Sequence, residues 1–481
     1  MNGKAIIKQL GKILLFNSFF LFISFLISVD LDESSDKHLF ISAVITFVFG
    51  IIPVLTMPKV KDIKFVDGMF MVVFGWLLTC FVGMIPYVMW GHEFSLTNAW
   101  FESVSGFTTT GATILQDIES LPKGLLFWRS ATHWIGGVGV VLFTIMVLPQ
   151  SSSERIILLN TEISELAKRN FNYRTKKILT ILVVVYVGLT VLETVSLYFA
   201  GMSLFDAVNH SFATIATGGF STKNNSVAYF NSVAIDVIIM VFMVFSGLHF
   251  GLIYNTIKGK SLNIFTSQIV RAFIIVLVIG ITIASLKLYF EGVYDNLAEA
   301  FRYGAFQVIS VGTTTGFATA DSKFWPPLTQ LIIIYFTIQC AMVGSTSGGL
   351  KFDRVYLFIR SLNKQFKLMR HPKAIVVMKV DGATVNDAME LRFKTFIITY
   401  LIIILLVTLG LTAMNIDLMT SFSAAIATIG NVGPGFGEVS SLGNYNGLPE
   451  MAKILLSWNM LLGRWEIFSF LSLFTFDYWK S

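Results

Sequence analysis

Residues 107–113 read Phe-Thr-Thr-Thr-Gly-Ala-Thr, and residues 312–319 read Gly-Thr-Thr-Thr-Gly-Phe-Ala-Thr. Two related turns read Ile-Ala-Thr-Gly-Gly-Phe-Ser at 215–221 and Gly-Asn-Val-Gly-Pro-Gly-Phe at 430–436. A single turn of this composition would carry little information, because Thr and Gly are common in turns. Four copies along one chain indicate an internal repeat, and this repeat decides the predicted fold.

The repeated unit extends upstream of each turn. The turns align on one glycine each, at Gly111, Gly218, Gly316 and Gly433, and these glycines are about 100 residues apart. A small residue followed by an apolar one precedes each glycine by 11 or 12 residues, at Ala99, Ala207, Ala305 and Ser421. That distance suits a helix of about two to three turns. Two apolar spans separate successive turns, so the predicted unit is span, short re-entrant helix, turn and span.

The composition is that of an integral membrane protein. Hydrophobic residues make up 54% of the 481 residues, charged residues only 13%, and the mean hydropathy is +0.72. A soluble domain carries about 25% charged residues. Apolar stretches of about 20 residues, the length that a helix needs to cross a bilayer, recur throughout the chain. We predict ten spans, at 13–29, 39–57, 69–90, 125–148, 178–200, 233–257, 269–290, 325–349, 393–413 and 451–476.

The first span resembles a signal peptide, because Lys4, Lys8 and Lys12 precede it. It is long for that role, and acidic residues at 30–36 follow it where a small-residue cleavage site would be expected. We therefore expect it to be retained as the first transmembrane helix.

The basic residues predict the direction of the spans. Short cytoplasmic loops collect Lys and Arg, and the segments 149–177 and 351–394 are rich in them. They predict an inner-membrane protein with both termini in the cytoplasm. The outer segments are acidic, which indicates either insertion control alone or carboxylates that concentrate cations at an external mouth. The pI of about 9.1 follows from this topology and gives no reason to expect a nucleic-acid partner.

Catalytic and cofactor chemistry has little support in the sequence. Cys80 and Cys340 both lie in apolar stretches and have neither a disulfide framework nor a metal-ligand spacing. The six histidines are scattered, and His133 and His249, inside spans, are expected to be buried structural groups. The sequence has no Walker-type motif and no strand–GxGxxG–helix unit. We expect neither enzyme activity nor an organic cofactor.

Re-entrant turns at membrane depth indicate a pore. Irregular backbone within a bilayer persists only where protein covers it or where it lines a watery path. Four turns around a pseudo-fourfold axis would bring carbonyl oxygens together, and such oxygens replace the hydration shell of potassium in channel filters. Glycine permits the required backbone conformations, Thr adds hydroxyl ligands, and the short helices direct their negative ends at the cation. The alternative is that the glycines only permit tight turns between paired helices.

The predicted K+ site consists of the residues at and just before each aligned glycine. In the fourth turn Asn431 and Val432 replace the threonines, so its carbonyl groups are the part expected to match the other turns. The candidate ligands are Thr109, Thr110, Gly111, Thr217, Gly218, Thr314, Thr315, Gly316, Asn431, Val432 and Gly433.

With these motifs the chain resembles the Trk/Ktr/HKT superfamily of potassium transporters, and most of all the TrkH/TrkG type of membrane subunit of bacterial Trk systems. The similarity extends from the third span to the C-terminus, and the first two spans match the additional pair of the Trk subunits. The resemblance implies an all-α membrane protein with ten transmembrane helices. Four fused helix–pore loop–helix repeats would surround a pseudo-fourfold pore, with two extra N-terminal helices. Sodium-favouring plant relatives have serine at the position of Gly111, so glycine here favours potassium.

This interpretation divides the chain into an N-terminal two-helix extension and four pore repeats, the third of which carries a basic cytoplasmic segment. The ranges are 1–60, 61–155, 156–262, 263–380 and 381–481.

Two features, one about halfway along the last span and one at the end of the eighth span, are candidates for a gate. Arg464 lies in the last span, where a charge costs about 2.5–3.5 kcal/mol on insertion scales. Its side chain either forms an internal ion pair, with Glu466 or Glu193, or faces the pore. The resemblance implies the second alternative, with the arginine just below the filter. The second feature is a Gly/Ser/Thr run that by itself would be an ordinary helix end. It consists of Gly344, Ser345, Thr346, Ser347, Gly348 and Gly349.

In the related family the counterpart of that run is an intramembrane loop that must move for ions to pass. A further glycine run, at 136–139 in the fourth span, is expected to allow close helix packing.

The resemblance also implies function and partners. It implies potassium uptake across the cytoplasmic membrane, by a homodimer, under the control of a cytosolic TrkA-like nucleotide-binding ring. The ring would dock on the basic segment 351–394, whose simpler role is an insertion signal on anionic membrane lipid. The alternative function is a secondary cation transporter or symporter coupled to sodium or protons. Such transporters usually have two inverted halves, whereas this chain shows four short parallel units.

Overall fold

The computed structural model describes residues 3–58, 65–147, 175–465 and 467. This part of the chain is almost entirely helical. The helices up to residue 257 are α1 Gly3–Asp30, α2 Asp36–Thr56, α3 Phe65–Gly83, α4 Ile85–Trp90, α5 Leu96–Phe107, α6 Lys123–Val147, α7 Thr175–Phe199, α8 Leu204–Ile215, α9 Val233–Gly247 and α10 Phe250–Ile257. The remaining elements are α11 Gln268–Phe290, α12 Leu297–Gly312, α13 Pro327–Gln339, α14 Phe352–Arg370, β1 Met378–Val380, β2 Ala383–Val385, α15 Asp387–Thr412, α16 Leu418–Ile429 and α17 Glu450–Arg464.

α1 and α2 form a tightly packed pair. A Cβ added to Gly11 would lie 2.6 Å from the carbonyl oxygen of Gly50, and one added to Gly50 would lie 2.9 Å from that of Gly11. Small residues let membrane helices approach backbone to backbone, and this packing attracts them where lipid is as apolar as the side chains. α1 also packs on α3 and α6, so the N-terminal extension is built onto the first repeat.

Six helices of the described residues are long and apolar enough to cross a bilayer, which fits the predicted multi-pass membrane protein. α9 and α10 together form a seventh such unit, but they are bent by 103°. The prediction of one continuous span at 233–257 is therefore wrong. α9 ends at Gly247, and the side chain of His249 restarts the chain as α10 by accepting the N–H of Gly251 at 3.0 Å.

The predicted span at 325–349 is also not one helix. α13 ends at Gln339, and Cys340 has a left-handed φ of 57° that directs the chain into an irregular segment. The predicted break at Gly344 is thus a few residues late. The total of ten spans remains a prediction, and the basic loop 149–177 lies almost wholly outside the described residues.

A short helix precedes each of the four turns, as the sequence predicts. These helices are α5, α8, α12 and α16, with 12, 12, 16 and 12 residues. In each one a side chain accepts an N–H of the first turn, and the caps are Ser95, Ser203, Asn296 and Asp417. A cap of this kind satisfies a donor that the helix cannot pair internally and is worth about 1 kcal/mol. The caps thereby fix where each short helix begins.

The hydrophobic core consists of two main clusters. One packs the second and third repeats together and includes the fully buried rings of Phe273, Phe306 and Phe336. The other packs α1 against the first and fourth repeats and includes Trp76 and Trp128. Residues of the first turn belong to the second cluster, and residues of the other three turns belong to the first.

The basic segment 351–394 contains α14, the β1–β2 hairpin and the start of α15. Lys364 of α14 lies 2.9 Å from both Asp387 and Glu390, and Lys394 lies 2.6 Å from Glu390. Asp381 in the hairpin turn accepts the hydroxyl of Ser267 at 2.7 Å. These contacts join the segment to the helices of the third and fourth repeats.

The predicted repeat borders stay predictions. The borders near residues 60 and 155 lie outside the described residues. The border near 262 falls between α10 and α11, and the border near 380 falls in the β1–β2 hairpin.

Candidate functional site

All four turns begin with the same helix-ending motif. Three residues after the last residue of each short helix, a backbone N–H donates to the carbonyl oxygen five positions earlier, at 2.7 to 2.9 Å. The donors are Thr110, Gly218, Thr315 and Val432, and the acceptors are Ser105, Ala213, Ser310 and Ala427. These hydrogen bonds use the N–H groups to satisfy the last carbonyl groups of the helix. Each turn is therefore held by its own helix.

The residue before each of these donors has left-handed backbone. Its φ is 53° at Thr109, 55° at Thr217, 62° at Thr314 and 52° at Asn431. Helices that end in this way usually carry Gly or Asn at this position, and a β-branched residue with positive φ is an uncommon, strained choice. Asn431 therefore suits the backbone, whereas the three threonines store strain of the kind found at functional sites.

A second left-handed residue follows the donor in each turn, and it is always glycine. The φ values are 79°, 79°, 80° and 94° at Gly111, Gly219, Gly316 and Gly433. The alignment of Gly218 with Gly111 is therefore wrong by one residue, because the second turn contains a glycine doublet and α8 ends at Ile215. Gly218 instead occupies the position of Thr110, Thr315 and Val432.

The four turns form a closed ring. A Cβ added to Gly111 would overlap the carbonyl oxygen of Gly218, and one added to Gly219 would overlap that of Thr315. In the same way Gly316 abuts the carbonyl oxygen of Val432, and Gly433 abuts that of Thr110. The carbonyl group of each turn thus packs against the glycine of the preceding repeat, all the way round. This is the pseudo-fourfold arrangement that the repeat predicts.

At the left-handed position before the N–H donor, several side-chain oxygens lack a hydrogen-bond partner among the described residues. The hydroxyl oxygens of Thr109 and Thr314 and Oδ1 of Asn431 are buried without a hydrogen bond. Buried polar atoms normally have partners, and an exception needs an explanation such as a site for an ion or water. The amide of Asn431 donates instead to the Thr110 hydroxyl and to the Met460 carbonyl, both at 2.9 Å.

A cavity of about 90 Å³ lies against this ring and is lined by all four left-handed glycines. Its described lining contains no carboxylate, and it includes the cationic side chains of Arg129 and Lys223. The idea that the acidic outer residues surround the mouth therefore finds no support at this cavity.

The Gly/Ser/Thr run is part of an irregular loop, 340–351, that contacts several other elements. Met342 donates its N–H to the Gly247 carbonyl at 3.2 Å, and Phe250 donates to that of Gly344 at 3.0 Å. The Thr346 hydroxyl donates to the carbonyl of Ile215, the last residue of α8, at 2.9 Å. A Cβ added to Gly348 would overlap the side chain of Asn431. The loop thus connects the bend in the second repeat with the second and fourth turns.

Arg464 contacts this loop directly. It is 7% exposed, and it donates to the Thr346 carbonyl at 2.6 Å and to the Gly136 carbonyl at 2.9 Å. Among the described ion pairs none joins Arg464 to Glu193, and Glu466 lies outside the described residues. The guanidinium group therefore links the loop to α6 through backbone carbonyl groups.

The glycine run in α6 allows close packing, as predicted. A Cβ added to Gly136 would overlap the carbonyl group of Phe107, and one added to Gly137 would lie 2.9 Å from Ala216. His133, on the same helix, is buried and stacks on Phe220 at 4.1 Å between ring centroids. α6 is thus fixed against the first two turns.

Sequence reasoning missed a charged pair beside the ring. Glu102 of α5 and Arg129 of α6 are fully buried and form an ion pair of 2.7 Å. The available signal was an acid in α5 and a base within the apolar part of α6, at positions where insertion of a charge is unfavourable.

The fold and the ring define a class: a membrane protein in which four pore-loop repeats in one chain surround a common axis. The model of the TrkH family, described as cation transport proteins, matches residues 35–478. The chain therefore belongs to the TrkH cation transport family.

Individual relatives agree with this assignment. The Trk system potassium uptake protein TrkH of Salmonella typhimurium is 35% identical over 422 residues, 87% of each chain. TrkH of Halomonas elongata is 32% identical over 484 residues and the whole of both chains. The crystal structure of the potassium transporter TrkH from Vibrio parahaemolyticus matches with a TM-score of 0.90 at 30% identity over all of both chains.

Proposed function

We propose that this protein takes up potassium through a channel-like pore across the cytoplasmic membrane. The observation that carries the proposal is the closed ring in which four carbonyl groups pack against four left-handed glycines. Backbone carbonyl groups on a common axis can replace the water around a potassium ion. Family membership supports the same function, since relatives such as TrkH of Salmonella typhimurium are potassium uptake proteins.

In this proposal the ion is substrate and is bound by the ring. The carbonyl oxygens of Thr110, Gly218, Thr315 and Val432 supply one layer of ligands. The unpartnered hydroxyl oxygens of Thr109 and Thr314 and the unpartnered Oδ1 of Asn431 support a second contribution at the preceding position. The partial negative charge at the C-terminal ends of the four short helices favours a cation there.

Arg464 and the loop 340–351 form the gate. The carbonyl groups that Arg464 binds belong to this loop and to α6, so its positive charge is held near the ring. A fixed positive charge beside the pathway raises the barrier to cations. The loop blocks passage until its bonds to α8 and to the bend at Gly247 exchange.

The assembly that we propose is a homodimer with both termini in the cytoplasm. A cytosolic TrkA-like nucleotide-binding ring would bind the surface formed by α14 and the β1–β2 hairpin. This surface combines basic residues with exposed apolar side chains, such as Phe366 at 61% and Ile375 at 93% exposure. α14 begins where the loop 340–351 ends, so a force on α14 would reach the gate.

The experiment is cation flux by the purified protein in liposomes, with potassium, rubidium, sodium and lithium compared. We expect potassium and rubidium to pass in preference to sodium and lithium. Equal flux of all four cations would refute a potassium filter. If the protein alone shows no flux, the measurement is repeated with a TrkA-type subunit and nucleotide; absence of flux there also counts against the proposal.

A further inference from the structure

The ion pair between Glu102 and Arg129 has no role in the filter described so far. The two side chains are 0% and 1% exposed, and two nitrogens of Arg129 lie 2.7 and 2.8 Å from Oε1 of Glu102. Burial of two charges is unfavourable unless good geometry and further hydrogen bonds compensate for the lost water. The remaining partners of this pair therefore indicate what it is for.

Glu102 holds the far end of the first turn. Its Oε2 accepts the N–H of Ile114 at 3.0 Å, and its two oxygens lie 3.0 and 3.1 Å from the hydroxyl of Thr113. α5 already holds the near end of the turn, where Thr110 bonds back to Ser105 at 2.9 Å. One helix thus fixes the turn on both sides of Gly111.

Arg129 extends this hold to the second turn. Its Nη1 donates to the Ser221 carbonyl at 3.3 Å, and its guanidinium carbon lies 4.0 Å from the ring centroid of Phe220. Phe220 and Ser221 directly follow Gly219. The pair therefore ties together the first two turns at their far ends.

The equivalent positions of the other repeats show a graded series. The position five residues before the last residue of each short helix is Glu102, His210, Gln307 and Ala424 in the four repeats. His210 lies 3.0 Å from the hydroxyl of Ser221, which is the counterpart of Thr113, and Gln307 donates to the Ser441 hydroxyl at 3.0 Å. A charged support is thus found at the first of these four positions, neutral supports at the second and third, and none at Ala424.

We propose that Glu102 and Arg129 are positioning residues that determine ion selectivity. The proposal rests on the potassium filter proposed above. We take the ring to discriminate potassium from the smaller sodium ion by resisting contraction, because contraction would bring the carbonyl oxygens to the distance that sodium prefers. The pair supplies that resistance in the first two quarters of the ring. Removal of either partner therefore lowers the selectivity for potassium over sodium.

The test uses the full-length protein in liposomes and measures the ratio of potassium to sodium flux. Glu102→Gln keeps the size of the side chain but removes its charge, and Arg129→Gln removes the other half of the pair. We expect each variant to lower the flux ratio about ten-fold, the effect of one lost charged hydrogen bond. A ratio like that of the wild type in folded variants would overturn the proposal.

The chain contains a matched control. Asp236 and Arg302 form another ion pair of 2.7 Å, with exposures of 1% and 18%, between α9 and α12. Asp236→Asn is expected to lower the melting temperature while keeping the flux ratio. If it lowers the ratio as much as Glu102→Gln does, the effect is general destabilisation and the proposal fails.

Two further outcomes decide between explanations. If Glu102→Gln and Arg129→Gln change potassium flux in opposite directions at an unchanged ratio, the pair acts by its field on the ion, and positioning is refuted. If Glu102→Gln does not fold, Glu102→Asp replaces it, with a shorter carboxylate and an expected intermediate loss of ratio. A wild-type protein that does not discriminate would refute the filter itself, which distinguishes failure of the proposed function from failure of this inference.

Discussion

The ring of turns and the loop 340–351 touch each other, yet they are held in opposite ways. Each turn is bonded to its own short helix by a motif that recurs four times. The loop is bonded to other elements through single contacts, such as Met342 to Gly247 and Thr346 to Ile215. A turn can therefore move only if its helix end unravels, whereas the loop can move by exchanging a few bonds. In the proposed function, the turns are therefore the fixed ion site and the loop is the part that moves.

The largest expected effect comes from a side chain placed in the ring. We predict that Gly111→Ser lowers the ratio of potassium to sodium flux about ten-fold or more. Its Cβ overlaps the Gly218 carbonyl group, and its φ of 79° disfavours any side chain. Flux ratios of the purified variant in liposomes measure the effect.

Gly91→Ser is the matched control for that variant. Gly91 has a similar φ of 76°, but an added Cβ meets nothing within 4 Å. Backbone strain alone would affect both variants alike. If Gly111→Ser keeps the wild-type ratio, or if Gly91→Ser loses it equally, the ring is not the selective element.

The second effect concerns the charge that holds the loop. We predict that Arg464→Ala raises potassium flux several-fold, about 1 kcal/mol in barrier, at an unchanged flux ratio. The substitution removes both the positive charge and the bond to the Thr346 carbonyl. Arg464→Lys, which keeps the charge, is expected to remain closer to wild type. A folded Arg464→Ala protein with wild-type flux would leave the arginine a purely structural role.

A smaller effect is expected from one side-chain bond of the loop. Thr346→Val removes the hydroxyl that donates to Ile215 but keeps the carbonyl group that accepts from Arg464. We predict about a two- to three-fold rise in flux, because one neutral hydrogen bond contributes about 1 kcal/mol or less. Ser345→Ala is the control, since that hydroxyl bonds to Met342 and Ser347 within the loop. Equal effects of both substitutions on flux would mean that the bond from Thr346 to Ile215 has no special role in holding the loop.

The last prediction concerns stability rather than flux, at the base of the loop. Asp353 accepts the N–H of Val343 at 2.8 Å, and burial, opposed by hydrogen bonds, raises its pKa to about 6. A carboxyl group whose pKa is higher in the folded protein binds its proton more tightly there. It therefore stabilises the fold below its ordinary pKa of about 4, and this contribution is lost as the pH rises through 6.

We predict that the melting temperature of wild type rises relative to that of Asp353→Asn as the pH falls from 7 to 4. The corresponding change in the free energy of unfolding, relative to the variant, is on the order of 1–3 kcal/mol at most. Parallel melting curves of the two proteins across this range would contradict the raised pKa.

The sequence was sufficient for the features that recur. Four short helices and four turns were predictable because hydrophobic spans and Thr/Gly turns alternate with a regular period. The alignment of the second turn was not predictable, because two adjacent glycines, Gly218 and Gly219, both fit the aligned position. The end of α8 at Ile215 distinguishes them. Local composition also permitted a straight helix over 233–257, where the bend depends on the loop 340–351 packing against Gly247.

Contacts between distant residues were the least predictable. Glu102 and Arg129 meet because α5 and α6 are packed around the first turn, and neither residue forms part of a local motif. Two of the groups that Arg464 binds are backbone carbonyl groups, which every residue possesses, so the sequence could not indicate which ones it binds.

The contact between the fourth and first turns has a consequence for how the chain is made. Asn431 binds Thr110 across a separation of 321 residues, and Gly433 packs against the carbonyl group of the same threonine. A ribosome releases the first turn long before the fourth exists, and contacts of such high sequence separation form late in folding. The nascent protein thus passes through a stage with an incomplete ring, and the ring closes only after the last repeat has been inserted.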